Sequence, residues 1–460
     1  MAQMDGGPDS SGLSGVDLTG GGGIEGVETI FACVCDLNGV MRGKRLPIAH
    51  LDKVAEGAVR MPLSLLGMDI WGEDIEGNEL VFDTGDADGI CEFTGRAPSL
   101  ITWTSRPALF AQLWVREENG EPFLGDPRRV LADIVARYRA EGLTPVVATE
   151  LEFYIVDPSG RVPQPPCSPI TGKRLDSDGA LSLDELQHFD ALLNEIYDAC
   201  RAQNIPADAA ISENGAGQFE INLTHVDDPL KAADDAVLFK RLVHGIVRKH
   251  GLAATFMAKP YGDRAGSGMH VHFSLLDRQG RNVFDDGGER GTETLRQAVA
   301  GLIRTMPQNA LVFAPHENSF RRLIPGAHAP SSVAWGYENR TAAIRIPGGS
   351  PKARRIEHRV AGADANPYLV LGAILGGALK GIQGGWTAPD PIDGDAYSMD
   401  LDQLSFDWAS AIDAFAKGPL TAEIFSKRLK RMFVQCKQQE LRRFARHVTD
   451  FEYHSYLEAV

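Results

Sequence analysis

Acidic, imidazole and guanidinium side chains recur at every second position in four short segments of this sequence, residues 147–155, 217–223, 268–275 and 355–360. Side chains of a β-strand alternate between two faces, so each segment has one polar and one apolar face if it is a strand. The polar faces carry Glu150 and Glu152; Gln218, Glu220 and Asn222; His270, His272 and Ser274; and Arg355, Glu357 and Arg359. These residue types are typical of a site that binds metals and anions.

The chemistry that such residues support is phosphoryl transfer from a nucleotide. Two glutamates on one strand face repel each other unless a cation lies between them, and carboxylate oxygens are ligands that Mg²⁺ and Mn²⁺ prefer. Arginines match phosphate oxygens through their planar guanidinium groups. Metals, carboxylates and arginines are together the groups that phosphoryl transfer requires. The sequence contains no P-loop and no kinase-type glycine-rich loop, so nucleotide binding needs another scaffold.

The elements that position these residues predict an α+β fold. Asp126 and Pro127 mark a helix start, the apolar residues that follow have helical spacing, and Gly142 ends the helix. Residues 1–26 are rich in glycine and predict a flexible tail. We therefore divide the rest into a small β-rich domain, residues 27–119, and a large α+β domain, residues 120–460.

Composition excludes several classes of protein. The chain has 460 residues, 43% hydrophobic and 23% charged, as in ordinary globular proteins, and a net charge of −16 argues against a protein that coats nucleic acid or an anionic membrane. Six scattered cysteines without a C-x-x-C pair argue against a disulfide scaffold or a structural zinc site. No apolar run reaches membrane-spanning length, and no secretory signal is present. We expect a cytoplasmic protein.

Six motifs in one order resemble the glutamine synthetase family, from about residue 27 to the C-terminus. They are residues 150–153, 217–220, 259–272, 318–323, 339–347 and 352–357. The resemblance implies an eight-stranded β-grasp-like N-terminal domain packed on a catalytic domain with an open antiparallel barrel. It also implies a homo-oligomeric double ring, a dodecamer, with active sites between neighbouring subunits.

The resemblance also implies roles for individual residues. It implies that each active site holds two or three Mg²⁺ or Mn²⁺ ions. The implied ligands are Glu152, Glu213 and Glu220 for one ion and Glu150, His270 and Glu357 for the second. The residues implied to bind ATP are Arg340, Arg345 and Arg355 at the phosphates and Ser274 near the nucleotide end. The residues implied to bind L-glutamate are Arg322, Arg359 and the Gly266 loop. The implied chemistry is transfer of the γ-phosphate of ATP to the glutamate side chain, after which a nitrogen nucleophile displaces phosphate.

For single residues, a purely structural role stays open as an alternative to metal binding. Glu150 and Glu357 either bind metal or form ion pairs with neighbouring arginines. His270 either binds metal or is a satisfied histidine of the sheet, and His272 stays undecided. Glu213 is less secure, because its spacing to Gln218 is one residue shorter than in the best-known glutamine synthetases.

Two departures from the family pattern bear on the nucleophile. Residues 325–330 place His328 where ammonia-using members carry a glutamate that positions and deprotonates ammonium. The Asp-Gly-Ser-Ser segment of the ammonium pocket is missing, and Asp69 is its only match. The sequence therefore resembles the branch that ligates glutamate to putrescine, polyamines or other small alkylamines. We assign His328, Asp69, Arg340 and Arg345 to catalysis, with His328 either a base for the amine or a residue that lines the entrance.

Two alternatives to a glutamate–amine ligase remain. One is a true glutamine synthetase that uses ammonia, and the other is a non-catalytic, structural member of the family. Retention of all six carboxylate and imidazole ligands argues against the second alternative.

Overall fold

The computed structural model of the chain describes residues 26–82, 85–176, 179–324 and 329–460. These residues form two β-sheets surrounded by α-helices, and the predicted α+β class is confirmed. The first sheet comprises β1 (Thr29–Cys35), β2 (Met41–Pro47), β3 (Val59–Pro62), β4 (Asp88–Phe93), β5 (Ser99–Ile101) and β6 (Ala108–Arg116). The second comprises β7 (Thr144–Val156), β8 (Ala207–Ser212), β9 (Gln218–Val226), β10 (Ala253–Thr255), β11 (Met269–Leu276), β12 (Trp335–Tyr337), β13 (Ile344–Ile346) and β14 (Ile356–His358).

The helices occupy the connections between strands and the C-terminal part of the chain. They are α1 (Leu51–Ala55), α2 (Glu79–Phe82), α3 (Pro127–Ala140), α4 (Leu183–His188), α5 (Asp190–Ala202), α6 (Pro229–Lys249), α7 (Glu293–Thr305), α8 (Ala310–Phe313), α9 (Glu317–Phe320), α10 (Pro367–Gln383), α11 (Trp408–Lys417), α12 (Pro419–Ile424), α13 (Lys427–Ala445) and α14 (Asp450–Tyr456). None of the helices in the described ranges combines the length and the apolar character needed to cross a bilayer.

The first sheet has the strand order β2-β1-β6-β4-β3, with β5 paired to β6. The resemblance implied eight strands here, whereas the described residues form six. Between β3 and β4, residues 63–67 form a 3₁₀ helix, and α2 follows. β1 and β6 are parallel, and the other pairs in this sheet are antiparallel.

The second sheet has the order β12-β13-β14-β11-β7-β9-β8, with β10 paired to β7. Its pairs are antiparallel except for β12 and β13, and the sheet closes almost into a barrel. The four segments in which polar residues alternate with apolar ones are found in β7, β9, β11 and β14. Their apolar side chains are buried against the helices, so the polar side chains are left on the other face.

The joint between the two sheets depends on Asp126. This buried carboxylate caps α3 by accepting a hydrogen bond from Arg128 N at 2.9 Å, and its second oxygen accepts one from Val115 N of β6 at 3.0 Å. Arg128 also forms a buried bidentate pair with Asp234 of α6, at 2.9 and 3.0 Å. The apolar core continues from β1 through α3 to α10, and the domain boundary at residue 120 stays a prediction.

Candidate active site

The pairing of β7 with both neighbours aligns the polar residues of separate segments. Glu150 lies opposite Asn222 of β9 and opposite His270 of β11, and Glu152 lies opposite Glu220. Residues directly opposite each other in an antiparallel pair share a face, with Cβ atoms about 5 Å apart. The register therefore gathers side chains from distant parts of the sequence on one face of the sheet.

Three carboxylates form the most acidic part of this face. One oxygen from each of Glu152, Glu213 and Glu220 lies within 4.8 Å of the others. Glu213 follows β8, and its backbone N–H donates to Gln218 O at 2.9 Å, which closes the turn and brings it beside Glu220. Burial and the neighbouring Glu152 raise the pKa of Glu213 to about 7, and burial and nearby carboxylates raise the pKa of Glu220 well above its usual range. Such a donor set fits a hard divalent cation, which would offset the mutual repulsion.

Glu150 is held by two histidines and an amide. His270 Nδ1 lies 3.1 Å from one carboxylate oxygen, and His272 Nε2 lies 2.9 Å from the other. Asn222 Nδ2 donates to Glu150 at 3.3 Å. Burial opposes ionisation of Glu150, but the hydrogen bonds from the two histidines hold its pKa far below the usual range. Glu150 is therefore an ionised, oriented carboxylate beside two imidazoles.

The ligand set predicted for a second metal divides into two groups. Glu150 lies within ligand range of His270 and Glu220 in one group and of His272 and Glu357 in the other. His272, which the sequence left undecided, thus joins Glu150 and Glu357. The roles of these residues stay a prediction, but the structure brings all six predicted metal ligands onto one face.

Glu357 is also the centre of an arginine cluster. Arg345 NH1 lies 2.8 Å from one of its oxygens, and Arg359 NH1 contacts the other. Burial opposes ionisation, but Arg359 and the histidines nearby lower the pKa of Glu357 to about 2. The Nε–H groups of Arg345 and Arg359 are buried and have no hydrogen-bond partner among the described residues. Two unsatisfied cationic donors are what an anionic substrate would satisfy.

The glycine loop before β11 is packed tightly against Arg322. A Cβ at Gly266 would lie 2.6 Å from Ala258 O and 2.9 Å from Arg322 Cγ, so only glycine fits. Gln218 Nε2 donates to Gly266 O at 3.0 Å, which ties the loop to β9. Arg322 itself donates to Val360 O at 2.7 Å and to Arg359 O at 3.3 Å. The predicted glutamate-binding residues are therefore adjacent, beside the carboxylates.

The other residues predicted to bind ATP do not all lie at the same depth in the site. Arg355 lies at this face, where its Nε donates to His272 Nδ1 at 3.2 Å. Ser274 follows the two histidines on the same side of β11. Arg340 is exposed, and its positive charge lowers the pKa of Glu213, against the larger effect of burial.

One residue assigned to catalysis is not brought to the cluster. Asp69 is fully buried and accepts hydrogen bonds from Trp71 N, Glu73 N and Gln439 Nε2, so its carboxylate stabilises its own loop. His328 lies outside the described residues.

Comparison with known proteins identifies the family to which the chain belongs. The model for the glutamine synthetase catalytic domain matches residues 124–456. The chain belongs to the glutamine synthetase family. It is 39% identical over 422 residues to γ-glutamylputrescine synthetase PuuA of Escherichia coli (strain K12), with 91% of this chain and 89% of the relative covered. It is 30% identical to glutamate–isopropylamine ligase of Pseudomonas sp., over 94% of this chain and 96% of that one. The solved structure "Apo GmaS without ligand" superimposes with a TM-score of 0.82 at 26% identity, covering 94% of this chain and 97% of that one.

Two residues that contact the candidate site of this glutamine synthetase family member were not assigned a role from the sequence. Asn222 stood in the alternating pattern of β9, which was a usable signal, but its contact with Glu150 depends on strand register. Glu338 gave no signal. It adopts a φ of +52°, a conformation that is uncommon for glutamate, and its carboxylate accepts hydrogen bonds from Gly348 N and, at 3.5 Å, from Arg345. The strained backbone at Glu338 directly precedes the Asn339-Arg340 segment, as is common near functional sites.

Proposed function

We propose that this protein is an ATP-dependent ligase that joins the γ-carboxylate of L-glutamate to a small alkylamine or polyamine such as putrescine. The observation that carries the proposal is the near full-length similarity to γ-glutamylputrescine synthetase, in a chain whose sheet gathers every candidate metal ligand on one face. The similarity to glutamate–isopropylamine ligase supports the same reaction class with a different amine.

In this reaction a glutamate carboxylate oxygen forms a bond to the γ-phosphorus of ATP while the bond to the bridging oxygen of ADP breaks. The amine nitrogen then attacks the resulting acyl phosphate, inorganic phosphate leaves, and the nitrogen loses a proton. The first step brings two anions together, so the site must offset their repulsion.

The residues of this chain supply that compensation in three parts. Divalent cations, Mg²⁺ or Mn²⁺, would be held by Glu152, Glu213 and Glu220 and by Glu150 with its neighbouring histidines, and would withdraw charge from phosphate oxygens. The unsatisfied Nε–H groups of Arg345 and Arg359 would donate to the anionic reactants. The Gly266 loop would hold Arg322 beside the carboxylates, since the absence of a side chain at Gly266 lets Arg322 pack against the loop backbone.

The choice of amine depends on the residues at the entrance through which the nucleophile reaches the active site. A carboxylate attracts ammonium as a small cation, whereas a neutral imidazole at position 328 attracts it less and leaves a differently shaped opening. We therefore propose that His328 contributes to selection of an alkylamine over ammonia, either as its base or as a residue of the entrance. Asp69 is buried within its own loop, so a direct role for it would require that loop to rearrange.

The assembly and location belong to this proposal as well. We propose a double-ring homo-oligomer with active sites between subunits, in the cytoplasm, where ATP and glutamate are available. Sedimentation of the purified protein would test the assembly.

An amine panel tests the proposed reaction. The purified protein is incubated with glutamate, ATP and Mg²⁺ plus putrescine, ethanolamine, isopropylamine or ammonium, and phosphate release is measured together with product mass. We expect at least one alkylamine to give a higher kcat/KM than ammonium. Ammonium giving a higher kcat/KM than every amine would replace the proposal with glutamine synthesis, and an absence of phosphate release with every nitrogen donor, despite tight ATP binding, would favour a non-catalytic protein.

A further inference from the structure

A cavity of about 740 Å³ lies behind the second sheet, away from the carboxylate face. Alternation along β7 directs Phe153 away from Glu152, and the Phe153 ring lies 5.4 Å from the ring of Phe256, which lines the cavity. None of the predicted metal, nucleotide or glutamate residues that the structure describes forms part of its wall. The cavity is therefore separate from the candidate active site, and its volume is typical of small-molecule sites.

One wall of the cavity is cationic and formed by α6. It contributes Lys240, Arg241 and Arg248, none of which pairs with a carboxylate in the described part of the chain. Lys240 Nζ donates to Ala365 O at 2.9 Å, and Arg241 Nε is buried without a partner. Three cations that form no ion pair with the described residues and face one cavity are unexpected in a chain with a net charge of −16.

The negative charge available inside the cavity is small by comparison. Asp364 is the acidic residue among the described residues of the wall, and one of its oxygens accepts a hydrogen bond from Ser319 Oγ at 2.6 Å. A single carboxylate cannot neutralise three cations, so the wall has an excess of positive charge. An anion would be attracted to it.

The rest of the lining is mainly apolar. The N-terminal part of the chain contributes Val40 and Trp103, and the catalytic part contributes Phe256 and Met257. Inorganic phosphate would leave these surfaces in contact with water, whereas a ligand with an apolar body would bury them.

We propose that this cavity binds a small organic anion with an apolar body, with the anionic group at Arg241 and Arg248 and the body against Val40, Trp103 and Phe256. The two ends of such a ligand match the two kinds of wall. The site lies between the first sheet and α6, so its occupant contacts both parts of the chain.

The wall also extends to residues that hold the glycine loop. Asn318 lines the cavity, accepts a hydrogen bond from Lys259 N at 3.0 Å and donates to Lys259 O at 2.9 Å. Lys259 in turn donates from Nζ to Arg264 O, two residues before Gly266. An occupant that shifts Asn318 would move the loop, so its binding should change the KM for glutamate; this part of the inference rests on the proposed function.

Binding can be measured with 8-anilinonaphthalene-1-sulfonate, a fluorescent anion with an aromatic body, added to the full-length protein. We expect saturable binding that the double substitution Arg241→Gln with Arg248→Gln weakens by about tenfold or more, since it removes both charged donors from the anionic group of the dye. Arg139→Gln on α3, an exposed arginine also without an ion pair within the described ranges, is the matched control and should leave affinity unchanged. Met257→Trp fills the cavity without altering charge and should also weaken binding.

Displacement of the dye then tests the chemical class. We expect 3-phenylpropionate to displace it and 3-phenylpropylamine, which has a cationic group on the same body, to fail. Equal displacement by both compounds, or equal dye affinity in the double variant and the Arg139→Gln control, would overturn the site. Ligase activity and melting temperature show that each variant is folded. An unchanged glutamate KM at saturating 3-phenylpropionate would overturn the coupling alone, and failure of the amine panel would leave the binding result unaffected.

Discussion

Replacement of Glu220 by glutamine should have opposite consequences with and without a divalent cation. Ligand oxygens of Glu152, Glu213 and Glu220 lie within 4.8 Å of one another. At an effective dielectric constant of about 20, two unit charges at that separation repel by about 3.5 kcal/mol. Glu220 takes part in two such pairs, and this repulsion together with burial raises its pKa well above its usual range, so without a cation Glu220→Gln removes little charge from the cluster.

Without metal, therefore, Glu220→Gln should melt at the same temperature as the wild-type protein or higher. With Mn²⁺ at a hundred times its Kd, the wild-type protein gains about 2.7 kcal/mol of stability. If loss of one ligand raises Kd about a hundredfold, the same Mn²⁺ concentration stabilises the variant by only about 0.4 kcal/mol. The variant should thus lose most of the metal-dependent rise in melting temperature.

The assay is thermal unfolding in EDTA and in Mn²⁺, with Glu289→Gln as the control. Glu289 is an exposed glutamate outside the cluster and should leave both melting temperatures unchanged. An equal Mn²⁺ shift in wild-type protein and Glu220→Gln would show that these carboxylates do not hold the metal. A variant that melts well below wild type in EDTA would show that Glu220 stabilises the fold instead, and the repulsion argument would be wrong.

Three further predictions concern the second metal, the nucleophile and pH. Glu357→Ala should lower kcat by about a thousandfold, measured as phosphate release, because it removes a ligand, takes the Glu357 ion pair from Arg359 and leaves Arg345 with Glu338 alone; near-normal turnover would disprove the second metal site. His328→Glu should raise kcat/KM for ammonium relative to alkylamines, and an unchanged ratio would mean that this position does not select the nucleophile. Burial, with Arg248 and Lys240 nearby, lowers the pKa of His244 to about 4. The unfolded chain therefore binds a proton at His244 at a higher pH than the folded protein does. The contribution of His244 to the free energy of unfolding, about 3 kcal/mol, is complete above its ordinary pKa and is lost as pH falls from about 6.5 towards 4. His244→Gln should flatten the dependence of melting temperature on pH in that window, and parallel curves for both proteins would refute the assignment.

Local sequence patterns predicted the elements of the site. Alternation at period two predicted β7, β9, β11 and β14 and which side chains would share a face, because a strand turns each successive side chain to the opposite side. The Asp126–Pro127 start predicted α3, since capping depends only on neighbouring residues. Six motifs in order predicted the glutamine synthetase family, now shown by comparison.

Other features required the folded chain. The described residues of the first sheet form six strands where the resemblance implied eight, and the segment between β3 and β4 contains helical turns. Asp69 matched a motif by position, yet the carboxylate is enclosed by its own loop and by Gln439, which lies 370 residues away in the sequence. No local pattern reports a contact of that kind.

The sequence by itself determined which residues are candidates for the chemistry and which faces of the strands they occupy. Tertiary structure decided their partners. His272 reaches Glu150, Glu357 is shared between two arginines, and α6 lines a cavity with three cations that form no ion pair within the described part of the chain. The physical reason is that alternation and capping are set within a few residues, whereas register, burial and charge pairing depend on segments that only folding brings together.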